Sequence, residues 1–240
     1  MNKQSGFSLI EIMIALLIGL FLLGGILQFF SASQQTYRMQ SNLARLQENG
    51  RFALDFLVHD IRMLGYWGCL SGTNTDISGV DNNIGVSTVD NGTDTIVIKA
   101  AFAVLPTLSC GNSVTLDTSY SDPSSTTVYK IYTLANTYPT LYKKNNNVWG
   151  PLIEGIEDMQ ILYGVDNDAD GAANYYVAAN NVASMQQVVS VRISLLVSTL
   201  DDYLTTQPIT YTYNGITTTP TDHKIRRIFN ATIALRNHLL

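Results

Sequence analysis

FSLIEIMIALLIGLFLLGGILQFF, residues 7–30, is broken by only three polar side chains, Ser8, Glu11 and Gln28. As a helix this stretch would be about 36 Å long, enough to cross a hydrocarbon core of about 30 Å. The apolar stretch of a secretory signal peptide is shorter and ends in small residues at a cleavage site. Here the run passes straight into Gln28-Phe29-Phe30-Ser31, so it reads as a retained membrane-spanning segment. Glu11 is the anomaly within it. A carboxylate a few residues into a span costs about 2.5–3.5 kcal/mol on insertion scales and calls for a partner. No Lys, Arg or His lies between Lys3 and Arg38, so the segment itself offers no cation at helical spacing. A neighbouring chain could.

The helical pattern continues past the span. Leu43, Leu46, Gly50, Ala53/Leu54, Leu57/Val58, Ile61 and Leu64 recur every three or four residues, with no proline before Pro106. This predicts an amphipathic second half over residues 31–65, its stripe packed on a globular head and its stop at Gly65. A helix from Phe7 to Leu64 would be about 87 Å long. Gly19, Gly24 and Gly25 suit either close helix contact or a flexible spot.

Residues 66–240 read as strands and turns. Thr95–Phe102, Val128–Leu134, Met159–Val165, Val188–Ser198, Ile209–Tyr213 and Ile225–Leu235 are the predicted strands. Val189, Val191, Ile193, Leu195 and Val197 should share one face. Ser71–Gly92 and Asp117–Thr127 are predicted loops. The fold class is therefore α+β, one long helix followed by an antiparallel β head.

Composition narrows the function. The chain has 240 residues, 46% hydrophobic and only 14% charged, against about 25% charged in an average soluble domain. Collagen-like, coiled-coil and disordered classes are excluded. With 14 Lys and Arg against 19 Asp and Glu, the net charge is −5. That argues against a nucleic-acid binder with a broad basic face, so no nucleic-acid partner is expected. His59, His223 and His238 are scattered, and no nucleophile elbow, zinc motif, P-loop or dinucleotide fingerprint occurs. The chain is not expected to be an enzyme. Asn91-Gly92-Thr93 and Asn230-Ala231-Thr232 match glycosylation sequons, a pattern frequent by chance. Lys224, Arg226, Arg227 and Arg236 form a basic group that alternation along a strand should split between faces, leaving solvated or subunit-facing roles.

Asp166-Asn167-Asp168-Ala169-Asp170-Gly171 matches the first half of an EF-hand loop, with Asn174 at the ninth position. The twelfth position is Val177, not Glu, and the flanks read as strand and loop. Two readings follow: a weak structural Ca²⁺ loop held by Asp166, Asp168, Asp170 and Asn174, or an Asx-rich hairpin turn without metal. No cofactor is otherwise required.

Lys3-Gln4-Ser5-Gly6-Phe7-Ser8-Leu9-Ile10-Glu11 resembles the class III signal of type IV pilins and type II secretion pseudopilins. The resemblance implies that residues 1–6 are a leader. A prepilin peptidase would cut between Gly6 and Phe7 and methylate Phe7 as the new N-terminus. Glu11 then falls on the family's acidic position, where its partner would be the N-terminal ammonium of an adjacent subunit. Arg62-Met63-Leu64-Gly65-Tyr66-Trp67-Gly68-Cys69, Ile156–Asp166, and Arg226–Phe229 with Ala234–Asn237 resemble the PilW family of minor pilins. The absence of proline in the span, and cysteines that do not bracket a C-terminal loop, set the chain apart from bulk filament subunits.

By that resemblance the chain is a structural component of a complex that primes pilus assembly and sits at the tip. Its partners would be other minor pilins, the major pilin and a tip adhesin. It would be single-pass in the inner membrane, with a periplasmic head. Lys3 before the span and Arg38 and Arg45 after it leave the charge rule undecided; the resemblance and the cysteines orient the head. Cys69 and Cys110, the only cysteines, would form a disulfide in an oxidising periplasm, worth about 3–4 kcal/mol for a loop of this size; two free thiols are the alternative. The rival assignments are a J-type minor pseudopilin of type II secretion, and a pilus-borne adhesin or DNA receptor.

Overall fold

A computed structural model describes residues 8–64, 77–80, 94–99, 126–133, 137–145 and 148–236 of the chain. One helix, α1, runs from Leu9 to Arg62. Eleven strands follow among the described residues: β1 Ile77–Val80, β2 Thr95–Lys99, β3 Thr126–Tyr132, β4 Thr140–Asn145, β5 Val148–Glu154, β6 Ile156–Val165, β7 Tyr175–Val177, β8 Val188–Ser198, β9 Tyr211–Tyr213, β10 Ile216–Thr218 and β11 Arg226–Ala234. The chain divides into two compact units, Met1–Leu43 and Ala44–Leu240.

In the first unit, the apolar side chains of α1 lie exposed throughout: Leu9 is 74% accessible and Phe21 86%. An 18-residue window there reaches a mean hydropathy of 2.6 with none of it buried. Leaving so much apolar surface in water is unfavourable by about 25 cal/mol per Å². This half of the helix needs a membrane or a filament core around it.

In the second unit, the strands form three antiparallel sheets. One has the order β1-β2-β3-β4-β5, another β11-β8-β6-β7, and β9 and β10 make a separate hairpin. Gly155, at φ 83°, turns the chain from β5 into β6 and so from one sheet to the other. Its N–H donates to Pro139 O at 2.7 Å, and its carbonyl accepts from Ser198 N at 2.8 Å. Asp94 ties the sheets a second time, its N–H donating to Met159 O and its carboxylate accepting from Ile161 N at 2.7 Å.

A single core joins the elements. Leu46, Ala53, Leu57, Ile61 and Leu64 are buried at intervals of three, four and seven, as the stripe requires, and cluster with Ile96, Tyr129, Ile131, Leu141, Met159 and Ile193. All five residues expected on one face of β8 are buried. The opposite face of β8 is largely buried too, with Leu196 at 3% and Ser198 at 2% accessible. The hairpin accounts for part of this, since the Tyr213 hydroxyl donates to Ser194 O at 2.7 Å.

Val188–Ser198 is a strand over its whole expected length, and β6 and β11 agree to within three residues. The expected strand Ile209–Tyr213 shrinks to three residues, with Ile209 46% exposed outside it. Ile77–Val80 is a strand inside the segment expected to be a loop, and β3 begins at Thr126, before the end of the other expected loop. β4, β5, β7 and β10 were not anticipated. Phe102, Leu134 and Gly65 lie outside the described residues.

Candidate functional site: the helix N-terminus and the surface of the head

The first turn of α1 shows how Glu11 is placed. Ser8 precedes the helix, and its carbonyl accepts from Ile12 N at 3.2 Å, the first bond of the α ladder. Ser8 is therefore the N-cap and Glu11 the third helical residue. Glu11 Oε2 accepts from Ser8 N–H at 2.9 Å, the carboxylate half of a capping box. The sequence offers Glu11 no cation at helical spacing on its own segment; the structure adds an amide partner and, among the described residues, no cation. A neutral N–H satisfies one lone pair and leaves the charge in place. Gly6 and Phe7, at the expected cut, lie outside the described residues, as do Cys69 and Cys110.

The acidic loop after β6 is assembled as the spacing predicts. Asp166, Asp168 and Asp170 bring one ligand oxygen each to within 4.8 Å of one another. The loop also closes through its own backbone. Asp166 accepts from Asp168 N, Ala169 N and Gly171 N at 3.1, 2.7 and 2.8 Å, and Asn174 accepts from Asn167 N at 2.8 Å. Ala169 and Gly171 take positive φ, 61° and 83°. Burial works against the Asp166 charge, but the amides of Gly171, Ala169 and Asp168 outweigh it and hold the carboxyl below its usual range. Asn174, Asp166 and Asp170 all spend acceptors on closing the loop, Asp170 accepting from Ala172 N at 2.8 Å.

Two charged residues matter more than their sequence context suggested. Asp60, in the last turns of α1, is buried at 5% accessibility. Its Oδ2 accepts from Tyr129 Oη at 2.5 Å and Lys143 Nζ at 2.6 Å, and Oδ1 lies 3.2 Å from His59 Nδ1. Desolvation opposes its charge, but Lys143 and Tyr129 overcome that and keep its carboxyl below the ordinary value. The only sequence signal was a carboxylate one residue from Ile61 on the buried stripe. Arg226 is the second. Its guanidinium grips Glu157 at 2.7 and 2.9 Å and Asp222 at 2.6 and 2.8 Å. Its side chain is only 8% exposed, so it is a buried ion-pair hub, not the solvated residue expected. Arg227 and Arg236 are exposed, so the basic group does split.

Known proteins can now be compared with this arrangement. Residues 126–237, from β3 to just past β11, match the family described as Type IV Pilus-assembly protein W. Residues 1–27 match the prokaryotic N-terminal methylation motif. The chain carries a type IV pilus-assembly protein W domain. It is a minor type IV pilin, and its N-terminus carries the motif that a prepilin peptidase processes. Membrane anchoring and association with pilins of the pilus follow from the same two matches. The two matches point to a structural pilin. A type IV-like pilin from Thermus thermophilus is similar in structure at 13% identity and a TM-score of 0.41, over 80% of this chain and 98% of that one. No curated protein matches.

Proposed function

We propose that this minor pilin works in the complex that primes pilus assembly and sits at the pilus tip, together with other minor pilins, the major pilin and a tip adhesin. The peptidase cuts between Gly6 and Phe7 and methylates Phe7, the head lies on the periplasmic side, and Cys69 and Cys110 form a disulfide there. The observation that carries this reading is Glu11, the only charge in the exposed apolar half of α1 that precedes Arg38. Among the described residues its own chain supplies an amide and no cation. In an apolar medium an unanswered carboxylate is strongly unfavourable, and a second subunit's N-terminal ammonium removes that penalty. The charge thereby favours assembly over the isolated subunit and fixes the register between neighbours. Ser8 lies beyond the proposed cut, so the amide contact survives processing and Glu11 Oε1 is left for the neighbour.

Deletion of the gene is the test, with sheared surface pili and secreted folded proteins measured together. Loss of pili with intact secretion is expected. Lost secretion with normal pili would transfer the chain to type II secretion. Glu11→Ala should insert in the membrane normally but fail to support piliation; normal piliation in that strain overturns the charge-pairing mechanism.

A further inference from the structure

We infer that the open edge of β11 takes up an extended segment of a neighbouring pilin as an added strand. The inference rests on the reading above that the chain works in a complex of several pilins.

The hydrogen-bond parity of β11 can be read from its two ends. Thr199 N donates to Ile225 O, and Leu235 N donates to Val189 O, both at 2.9 Å. In an antiparallel pair, bonded and non-bonded positions alternate. The odd residues Arg227, Phe229, Ala231 and Ile233 therefore bond to β8. The amides and carbonyls of Arg226, Ile228, Asn230, Thr232 and Ala234 point away from it. β8 confirms the parity, because Ser198 N, an even position, donates to Gly155 O on its other side. No strand pairs with the outer edge of β11 among the described residues. Ile228, Asn230, Thr232 and Ala234 are solvent-exposed.

An edge of this kind is normally blunted. Among the described residues, the other outer strands of the two larger sheets are. β7 has three residues and β1 four, while β5 carries Pro151 and faces a bulge between Leu141 and Tyr142. β11 has nine residues, no proline, no glycine and a register without a break against β8. Beside it runs a groove whose walls include Glu48, Arg51 and Phe52 of α1 and Arg227, Ile228 and Phe229 of β11. Phe52 and Ile228 expose 45% and 43% of their surface there. A strand laid on the edge would find main-chain partners on one side and an apolar wall on the other, which is how extended peptides are captured by sheets. Charge selects the occupant. Arg51 and Arg227 are exposed, with no carboxylate in salt-bridge contact among the described residues, and Glu48 is the single acid in the groove. The incoming segment is therefore extended, apolar at alternate positions and acidic where it passes Arg51 and Arg227.

Proline tests the edge without touching the β8 ladder. Asn230→Pro and Thr232→Pro each remove an outward N–H only. The full-length double variant, co-expressed with the other minor pilins, should keep its melting temperature. It should lose at least about tenfold of the pilins that co-purify with the parent chain, since two main-chain bonds are forfeited. Unchanged recovery overturns the proposal. If the double variant melts low, a photo-cross-linker at Asn230 in the otherwise natural chain decides instead. Cross-links along consecutive residues of one extended segment of another pilin support the proposal. Cross-links to a helix, to a second copy of this chain, or to nothing overturn it. A deletion strain that loses pili while the proline variant keeps both pili and partners refutes the edge alone; a deletion strain with normal pili refutes the assembly reading beneath it.

Discussion

Asp60→Ala is the substitution whose cost the structure defines best. It leaves the Lys143 ammonium without its carboxylate and the Tyr129 hydroxyl, on a fully buried ring, without its acceptor. Removing one partner of a buried pair typically costs 3–5 kcal/mol, and an orphaned buried hydroxyl about 1–3 kcal/mol. These overlap and do not add. The Lys143 side chain is 22% exposed and can turn to water, so the lower end applies, about 3 kcal/mol. For a head of this size that is a fall in melting temperature of about 6–12 °C. Tyr129→Phe, which keeps the ring and removes only the donor, should cost about 1 kcal/mol.

The assay is thermal unfolding of the full chain in detergent, read by the β signal of the head, across pH. Asp60 is held below its ordinary pKa in the folded state. Its charge therefore stabilises fully above about pH 4, the unfolded value, and the contribution fades as pH falls through the folded one. The gap between parent and Asp60→Ala should narrow in acid. A fall of less than about 2 °C at pH 7, or a coupling between Asp60 and Lys143 below about 0.5 kcal/mol in a double-mutant cycle, would refute the reasoning.

Three further outcomes follow. A Cβ on Gly50 would overlap the Phe229 ring, so Gly50→Ala should destabilise by about 1–2 kcal/mol although alanine favours helix by about 1 kcal/mol; a raised melting temperature would show that the ring yields freely. Burial, with a smaller push from Glu157, raises Asp158 to about 6 against the hydrogen bonds from Gln160 and Met159. The parent should therefore lose stability as pH rises from about 4 to about 6, and Asp158→Asn should gain up to about 3 kcal/mol at pH 7 and nothing at pH 4, checked by melting curves at both. We also propose Ca²⁺ binding at Asp166, Asp168 and Asp170: millimolar Ca²⁺ should raise the melting temperature and Asp168→Asn should abolish the rise, whereas an unchanged melt in Ca²⁺ sinks the metal site.

The sequence was most legible where one periodicity dominated. α1 combines a nearly unbroken apolar run with a stripe at helical spacing, and β8 places a β-branched or leucine side chain at every odd position from Val189 to Val197, so both elements were legible. β4 and β5 escaped because Thr140–Asn145 carries two adjacent lysines and β5 contains Pro151. Proline demotes a strand reading, yet β5 is an edge, where a missing N–H is tolerated. Ile77–Val80 was hidden among Ser, Thr, Asn and Gly, and only its pairing with β2 makes it a strand. Asp60 and Arg226 were illegible for another reason. Their partners lie 69 to 83 residues away for Asp60 and 69 for the Glu157 side of Arg226, and nothing local marks a charge that tertiary contacts will bury.

Asp60 and Glu11 pose the same physical problem with opposite solutions. Each is a carboxylate on α1 that the fold or the membrane removes from water, where a lone charge is strongly unfavourable. The head answers Asp60 from within, bringing Lys143 and Tyr129 from β4 and β3, and the result is a joint between helix and sheet that contributes to folding. Among the described residues no cation answers the charge on Glu11; the Ser8 amide only fixes where the carboxylate points. On the proposed reading its remaining demand is met by another molecule, and meeting it contributes to association. A cation placed one turn away, as in Ala15→Lys, discriminates between the two. It supplies Glu11 with an internal partner at i, i+4 spacing while leaving the capping contact intact. If the charge drives assembly by being unanswered, this variant should anchor in the membrane yet incorporate poorly, and incorporation at the parental level would show that Glu11 serves only as a cap.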